Sequence, residues 1–312
     1  MGLRIRTNIS ALNAQRNLSN VTDNLSNHMG KLSSGLRINR AADDAAGLGI
    51  SEKMRSKVAA LGQAKRNTAD GISLIQTAEG GLDVISNILI RLKELSVQAA
   101  SDTIGPQERD FIQEEFQSLK HEIDRIAYSS TFNDIPLLIG NTPPPEGLDK
   151  NYNKPPLDIQ VGDKFFPQYD SLEANKDLGT EPINIIRINI DEINALTTGE
   201  GSLNLGGDDD ENEVRVDTKE SAQHSMSRLD SAIEKVSGYR ADLGALQNRL
   251  ESTIRNTANQ IENLASAESQ IRDADYAFET SEAAKYKMLE ESGVAVLMHA
   301  NQIPELALRL LG

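Results

Sequence analysis

Apolar residues recur every three or four positions through the N-terminal and C-terminal parts of the chain. Three N-terminal runs are Leu18, Val21, Leu25, Met29, Leu32 and Leu36; Leu82, Ile85, Leu89, Leu92, Leu95 and Ala99; and Ile112, Phe116, Leu119, Ile123 and Ile126. A strict seven-residue grid follows at Leu229, Val236, Leu243, Leu250, Leu264 and Ile271, interrupted only by Thr257, and Leu289, Val296, Ile303 and Leu310 are again seven apart. The first spacing predicts amphipathic helices, and the heptads predict coiled-coil packing.

Proline separates these helical parts. Eight of the ten prolines lie between Pro136 and Pro182, where they exclude long helices. Within this middle region, LDIQVG at 157–162 and INIIRINI at 183–190 carry β-branched residues typical of strands. We therefore expect a mainly α fold: a long, coiled-coil-like helical bundle formed by the N- and C-terminal segments, with a small, partly β domain in the middle.

Two local signals refine this outline. Gly105, Pro106 and Glu108 predict the start of a helix over 106–127, because proline suits the first helical position and acid suits the first turn. The run GGDDDENE at 206–213 reads as an exposed acidic loop, since it lacks the ligand spacing of a calcium loop.

The terminal runs indicate self-association. Polar Asn, Gln and Ser fill most positions between their apolar residues, so one short pair of helices buries too little surface to be stable alone. We expect the chain ends to be mobile alone and to become ordered against neighbouring copies. The predicted assembly interface comprises Leu18, Val21, Leu25, Met29, Leu32, Leu36, Leu289, Val296, Ile303 and Leu310.

Composition and charge narrow the function. The chain has no Cys, so disulfides and thiolate chemistry are excluded. Its net charge of -15 at pH 7 argues against nucleic acid as a partner. No stretch approaches the ~20 apolar residues of a membrane span, and the first residues form no apolar leader. We expect any export to proceed without a cleaved signal peptide.

Candidate catalytic motifs are weak. His121 begins HEIDR, but Arg125 stands where the zinc-binding pattern HExxH needs its second histidine. No phosphate-binding loop or nucleophile elbow appears. We expect neither an enzyme nor a bound cofactor or metal.

Residues 33–52, SSGLRINRAADDAAGLGISE, contain the adjacent carboxylates Asp43 and Asp44. Neighbouring residues of a helix point about 100° apart, so the two do not converge on one substrate atom. They suit the first turn of a helix, where free backbone amides favour negative charge. We interpret the stretch as a joint, whose members are Asn39, Asp43, Asp44, Gly47 and Gly49.

Several long motifs resemble bacterial flagellins, the subunits of the flagellar filament. They are LSSGLRINRAADDAAGLGIS, RNTADGISLIQTAEGGLDVISNILIRLKELSVQAAS, EFQSLKHEIDRIAYSSTFND, YRADLGALQNRLESTI, ENLASAESQIRDADYAFETSEAAK and ANQIPELALRLLG. Together the similar regions span residues 3–140 and 219–312. One departure is Asn133-Asp134 where the family usually has Asn-Gly, so we expect the hairpin turn there to differ.

The resemblance implies a layered subunit. Residues 1–44 and 273–312 would form the two halves of an inner core helix pair, 45–140 and 219–272 the helical bundle with a small β-hairpin, and 141–218 a variable outer domain. The joint would be the spoke between the inner pair and the bundle. The implied function is a structural subunit that self-assembles into the helical filament for swimming motility, with a hook–filament junction protein as the alternative.

The resemblance also implies partners and a location. The partners would be other copies of the chain, other flagellin paralogues, the flagellar export apparatus and its chaperone, and hook-associated and cap proteins. The location would be the extracellular filament, reached through the flagellar type III system. Some flagellins are recognised by an innate immune receptor, and the matching positions here are Arg91, Leu95 and Glu115.

Overall fold

The computed structural model describes five stretches of the chain: 8–142, 156–166, 183–199, 201–206 and 214–311. Side chains are described as far as Gln302. Most of the acidic run at 206–213 lies outside these residues, so the loop predicted there stays a prediction.

Five helices make up most of the described chain, which confirms the mainly α fold. They are α1 (Ile9–Ser34), α2 (Ala45–Ala99), α3 (Pro106–Ser129), α4 (Lys219–Arg272) and α5 (Tyr276–Leu311). Helix α3 begins as predicted, with Gly105 as the cap residue and Pro106 at the first helical position.

Four short strands form two antiparallel pairs: β1 (Thr131–Phe132) with β2 (Ile135–Pro136), and β3 (Leu157–Gln160) with β4 (Ile185–Ile188). In the second pair Leu157 lies opposite Ile188 and Gln160 opposite Ile185, within the two segments predicted to be strands. The β1–β2 turn places Asn133 at φ 49° and Asp134 at φ 63°. Two central residues with positive φ define the tight hairpin turn that Asn-Gly ordinarily forms. The hairpin therefore persists despite the Asp.

Contacts divide the chain into two compact units, residues 1–58 with 261–312 and residues 59–260. Helices α2 and α4 contribute residues to both. The division into inner pair, bundle and outer domain remains a prediction. The described residues of the segment 141–218 lie in the second unit.

The core of the second unit follows the sequence periodicity. The α2 run Leu82, Ile85, Leu89, Leu92, Leu95 and Ala99 is fully buried, as are the α4 heptad residues Leu229, Val236, Leu243 and Leu250. Thr257, which interrupts the heptad, is also buried. The same core includes apolar residues from the middle of the chain, among them Ile188, Leu196, Leu205 and Val216.

Polar side chains of α3 bind backbone groups of the middle region. Both carboxylate oxygens of Asp124 accept hydrogen bonds from Thr197, at 2.8 Å from the amide and 2.7 Å from the hydroxyl. Further along α3, Gln113 Oε1 accepts a bond from the Val216 amide at 2.7 Å. These bonds satisfy buried amides that no strand partner reaches. The middle region is therefore attached to the bundle by side chains of α3 as well as by apolar packing.

Candidate assembly surface and joint

In the first unit, α1 and α5 pack as an antiparallel pair. Near one end the Asn8 side chain donates through Nδ2 to the Ala300 carbonyl at 2.6 Å, and near the other the Tyr276 hydroxyl donates to the Leu32 carbonyl at 3.1 Å. Between them Leu18 lies against Gly293: a Cβ on that glycine would be 3.2 Å from Leu18 Cδ1. The absence of a side chain at Gly293 thus permits close packing of the two helices.

Most of the predicted assembly-interface residues of α1 lie on the side of the helix that faces α5. Leu18, Val21, Leu25 and Leu32 are half-buried, whereas Met29 is 55% exposed. No described residue of α1 is fully buried. The helix therefore keeps apolar surface accessible even with α5 in place.

Between Met288 and Ala300, helix α5 has apolar residues on several sides, with the polar Glu290, Glu291, Ser292 and His299 among them. Leu289 and Val296, which belong to the predicted assembly interface, are 45% and 55% exposed. Val294 and Met298 are exposed on another side of the helix. These directions follow from a rotation of about 100° per residue around the helix. The side chains of Ile303 and Leu310 lie outside the described residues. Apolar residues on a helix normally face a packing partner, and α1 covers only one side of α5.

One polar cluster lies between α1 and α5. The Glu279 side chain is only 5% exposed, and its Oε2 is 2.6 Å from His28 Nδ1. Lys31 Nζ lies 3.9 Å from the other oxygen. The His28 ring stacks on Tyr286, with centroids 5.3 Å apart and planes at 20°. Two residues 251 positions apart in sequence thus form a buried contact that no sequence spacing indicates.

The joint begins where α1 ends. Gly35 adopts φ 71°, and its amide bonds to the Lys31 carbonyl at 2.8 Å. The chain then lies antiparallel to the end of α4. The Arg37 amide donates to the Arg272 carbonyl at 2.7 Å, and the Ala274 amide to the Gly35 carbonyl at 3.0 Å.

Two arginines at the joint bind the neighbouring helices. The Arg37 guanidinium donates to the Ile271 carbonyl at 2.6 Å, where the last carbonyls of α4 have no helical partner. Arg272 pairs with Glu52 of α2 at 2.8 Å. Sequence reasoning missed both residues, because their partners lie far away in the sequence.

The two carboxylates of the joint have different roles. Asp44 is the cap residue of α2, because its Oδ1 accepts a bond from the Gly47 amide at 2.9 Å. Asp43 lies in the preceding turn and not in the first helical turn, so that part of the interpretation was wrong. Its Oδ2 accepts the amides of Arg40 at 2.9 Å and Asn39 at 3.0 Å. These two bonds lower the pKa of the Asp43 carboxyl below its ordinary value, and the bond from the Arg40 amide has the larger effect.

The two glycines of the joint also differ. A Cβ on Gly47 would lie 2.5 Å from Asp44 Oδ2 and 2.8 Å from Cδ1 of the buried Ile38. A Cβ on Gly49 would meet nothing within 4 Å. Only Gly47 is needed for close packing at the joint.

The positions matched to the immune-receptor face lie in the second unit. The Arg91 guanidinium donates to Glu115 at 2.8 Å and to Glu94 at 3.2 Å, on an exposed surface between α2 and α3. Leu95 is 1% exposed and belongs to the core. Two of the three residues are therefore accessible, and the third is buried in the core.

Candidate chemistry is sparse in the described stretches of the chain. They contain no group of three or more metal-ligating side chains, and none of their helices has the length and apolarity to cross a membrane. Arg125, which replaces the second histidine of the zinc pattern, pairs with Glu122 at 2.6 Å.

Comparison with known proteins identifies relatives over almost the full length. The family model of the bacterial flagellin N-terminal helical region matches residues 5–142, and that of the C-terminal helical region matches residues 226–311. The flagellar filament 33 kDa core protein of Treponema phagedenis is 40% identical over 98% of this chain and 99% of its own length. The flagellins of Halalkalibacterium halodurans and Bacillus subtilis are 39% and 41% identical, over 98% and 99% of this chain and 99% and 100% of their own lengths.

Proposed function

Because the chain belongs to the bacterial flagellin family, the structural subunits of the flagellar filament, we propose that α1 and α5 form its assembly surface. In this proposal the exposed apolar residues of the pair are covered by the same helices of neighbouring copies. The observation that carries the proposal is that α5 exposes Met288, Leu289, Val294, Val296 and Met298 on sides that α1 does not cover.

Burial energetics favour this assignment. An exposed Leu or Val side chain gains about 1.5–3 kcal/mol when it is fully buried, and about half of that when it is already half-buried. Summed over Leu289, Val296, Val294, Met298 and Met288, this gain is about 4–8 kcal/mol, which favours contact of α5 with neighbouring copies. Assembly and ordering of the terminal helices are then coupled. Head-to-tail contacts that do not close a ring extend into a helical filament.

The family also suggests where the subunit acts and what else it meets. We propose that it is exported by the flagellar type III apparatus with a chaperone, and that it joins hook-associated proteins, the cap and other flagellins in the extracellular filament. The hook–filament junction alternative gains no support from the three relatives compared above, which are named as flagellins or a filament core protein.

Seeded polymerisation tests the assembly surface. Purified chain would be added to short filament fragments, and the critical concentration measured by sedimentation and electron microscopy. We expect the double variant Leu289→Gln/Val296→Gln to raise the critical concentration about tenfold or more, since about 1.4 kcal/mol is a factor of ten. Glutamine preserves helix propensity, so the helix itself should remain.

Two further chains complete the experiment. The matched control Glu291→Gln/Ser292→Gln changes polar positions of the same helix and should assemble like the unmodified chain. A chain lacking residues 289–312 should not elongate fragments. An unchanged critical concentration for the Leu289/Val296 variant would place the assembly surface elsewhere. If the unmodified chain forms only short caps on the fragment ends, the junction-protein alternative is favoured.

A further inference from the structure

Thr257 interrupts the apolar heptad of α4, yet its side chain is only 5% exposed. A buried threonine ordinarily donates its hydroxyl to a carbonyl one turn earlier in its own helix, as Thr68 of α2 does to Ala64 at 2.7 Å. Within the described part of the chain, the Thr257 hydroxyl has no hydrogen-bond partner. A nearly buried hydroxyl without a partner is costly, so its position indicates a group that completes it.

The Thr257 side chain lines a cavity of about 490 Å³ between α4 and the end of the β3–β4 pair. The apolar part of the lining is buried and consists of Leu61, Val161, Ile185 and Ile186. All residues of this cavity, called here the Thr257 cavity, belong to the second compact unit. Small-molecule sites in proteins commonly have volumes of about 300–1,000 Å³. The cavity therefore has the size of a small-molecule site.

The wall that the strand ends provide is held by hydrogen bonds. The amides of Val161 and Gly162 both donate to the Asn184 carbonyl, at 2.8 and 3.1 Å. The Gln160 side chain donates to the Gly162 carbonyl at 3.0 Å, and Asn67 of α2 donates to the Gln160 carbonyl at 3.2 Å. A wall that is already ordered lowers the entropic cost of binding a ligand.

The polar lining consists mostly of neutral groups that can both donate and accept hydrogen bonds. Asn184 contributes an amide from the strand side, and one side of α4 contributes Ser252, Asn256 and Gln260. One carboxylate, Asp163, and one guanidinium, Arg249, also line the cavity, so the charges balance. Amides and hydroxyls pair with the hydroxyls of a ligand in either direction. This lining favours a neutral, hydroxyl-rich ligand over an ion.

Apolar side chains are exposed at the strand ends beside these polar groups. Ile183 lines the cavity and is 59% exposed. Phe165 and Phe166, two and three residues after Asp163, are 56% and 40% exposed. Aromatic and aliphatic surface next to amides suits a ligand that has an apolar face and a polar edge. A sugar ring has this character, because its C–H groups form a face and its hydroxyls project around the rim.

We propose that the Thr257 cavity is a carbohydrate-binding site that takes one or two rings of a neutral saccharide. The Thr257 hydroxyl and the amides of Asn184 and Asn256 bind the sugar hydroxyls, and the apolar lining packs against the ring. The proposal goes beyond filament assembly, because the cavity contains no residue of α1 or α5. In a polymer the site is repeated in every copy, and repetition of a weak site raises the overall avidity for a surface that carries many sugars.

Saturation-transfer NMR on the purified full chain tests the site, with maltose, cellobiose, lactose and N,N′-diacetylchitobiose as probes. We expect at least one of these disaccharides to bind with a dissociation constant of about 1 mM or lower. Thr257→Val removes the hydroxyl, keeps the shape of the side chain and restores an apolar residue to the heptad, so the helix should fold. It should weaken binding about fivefold or more, the loss expected for one hydrogen bond.

Two further variants serve as controls. Thr68→Val makes the same change at a buried threonine that does not line the cavity, and it should bind the disaccharide like the unmodified chain. The assembly variant Leu289→Gln/Val296→Gln should also bind normally, so this proposal and the proposed assembly surface can fail separately. The carbohydrate site is overturned if none of the four disaccharides binds, if Thr257→Val binds as tightly as the unmodified chain, or if Thr68→Val weakens binding as much as Thr257→Val.

Discussion

At the scale of single residues, the joint shows how the same amino acid can be required at one position and replaceable two positions later. A Cβ on Gly47 would collide with the cap residue Asp44 and the buried Ile38. A Cβ on Gly49, two residues further along α2, would meet nothing within 4 Å. Glycine lowers helix stability relative to alanine by about 0.5–1 kcal/mol unless packing requires it.

Alanine substitutions at the two glycines should therefore have opposite effects. We expect Gly49→Ala to stabilise filaments by about 0.5–1 kcal/mol through helix propensity. Gly47→Ala should destabilise them by about 1–2 kcal/mol, because the added methyl displaces the Asp44 cap and Ile38. Calorimetric melting of purified filaments measures both. Equal shifts in the two variants would show that Ile38 and Asp44 move aside without cost.

The turn between β1 and β2 contains a second local conflict. Asp134 adopts φ 63°, a conformation that glycine reaches without strain and that Asp adopts at some cost. We expect Asp134→Gly to raise the free energy of unfolding by about 0.5–1 kcal/mol in urea titration of the monomer. Asn133→Gly is the control, because Asn tolerates this conformation well, and it should change stability less. A loss of stability in Asp134→Gly would mean that the carboxylate has a role that outweighs the backbone preference.

At the scale of secondary-structure elements, the sequence predicts helices well where their faces differ in polarity. The α2 run and the α4 heptads are buried where their spacing predicts, because each helix has one apolar side and one polar side. Helix α5 offers no such contrast. Leu289 and Val296 of its seven-residue run stay exposed beside α1, and Gly293, outside that run, is the residue that meets α1. Periodicity does not indicate this contact, because apolar and polar residues are mixed around the helix.

Gly293 gives the element-scale prediction. Gly293→Leu should separate α1 from α5, because its side chain would occupy the space of Leu18, and raise the critical concentration of polymerisation about tenfold to a hundredfold. Gly30→Leu, on α1 where a Cβ meets nothing within 4 Å, is the matched control and should assemble normally. Normal assembly of both variants would show that the close approach at Leu18 is not needed in the filament.

At the scale of the whole chain, the middle region could be predicted only in part. Its two strands follow from β-branched runs, but its attachment to α3 through Asp124 and Gln113 depends on residues that are distant in sequence and carry no periodic signal. The cluster at His28 and Glu279 was missed for the same reason. Contacts between one polar side chain and one remote group leave no pattern in a single sequence.

The division between core and surface also determines how recognition of this protein can be tested. The predicted receptor face combines the exposed Arg91 and Glu115 with Leu95, which is part of the bundle core. Loss of binding after a change at Leu95 would therefore report on folding as much as on contact. A substitution in the exposed Arg91–Glu115 pair can change the contact without unfolding the protein, so it separates contact from folding.

Urea unfolding and receptor binding should respond differently to two alanine variants. Leu95→Ala should lower the free energy of unfolding by about 2–5 kcal/mol, because it leaves a cavity among buried side chains. Arg91→Ala removes an exposed guanidinium and should leave the urea midpoint nearly unchanged. If an immune receptor binds this face, Arg91→Ala should weaken binding to the folded protein, since the Arg91–Glu115 pair is what the surface presents there. Binding that survives Arg91→Ala and falls only in proportion to the unfolded fraction of Leu95→Ala would exclude this face as the receptor site.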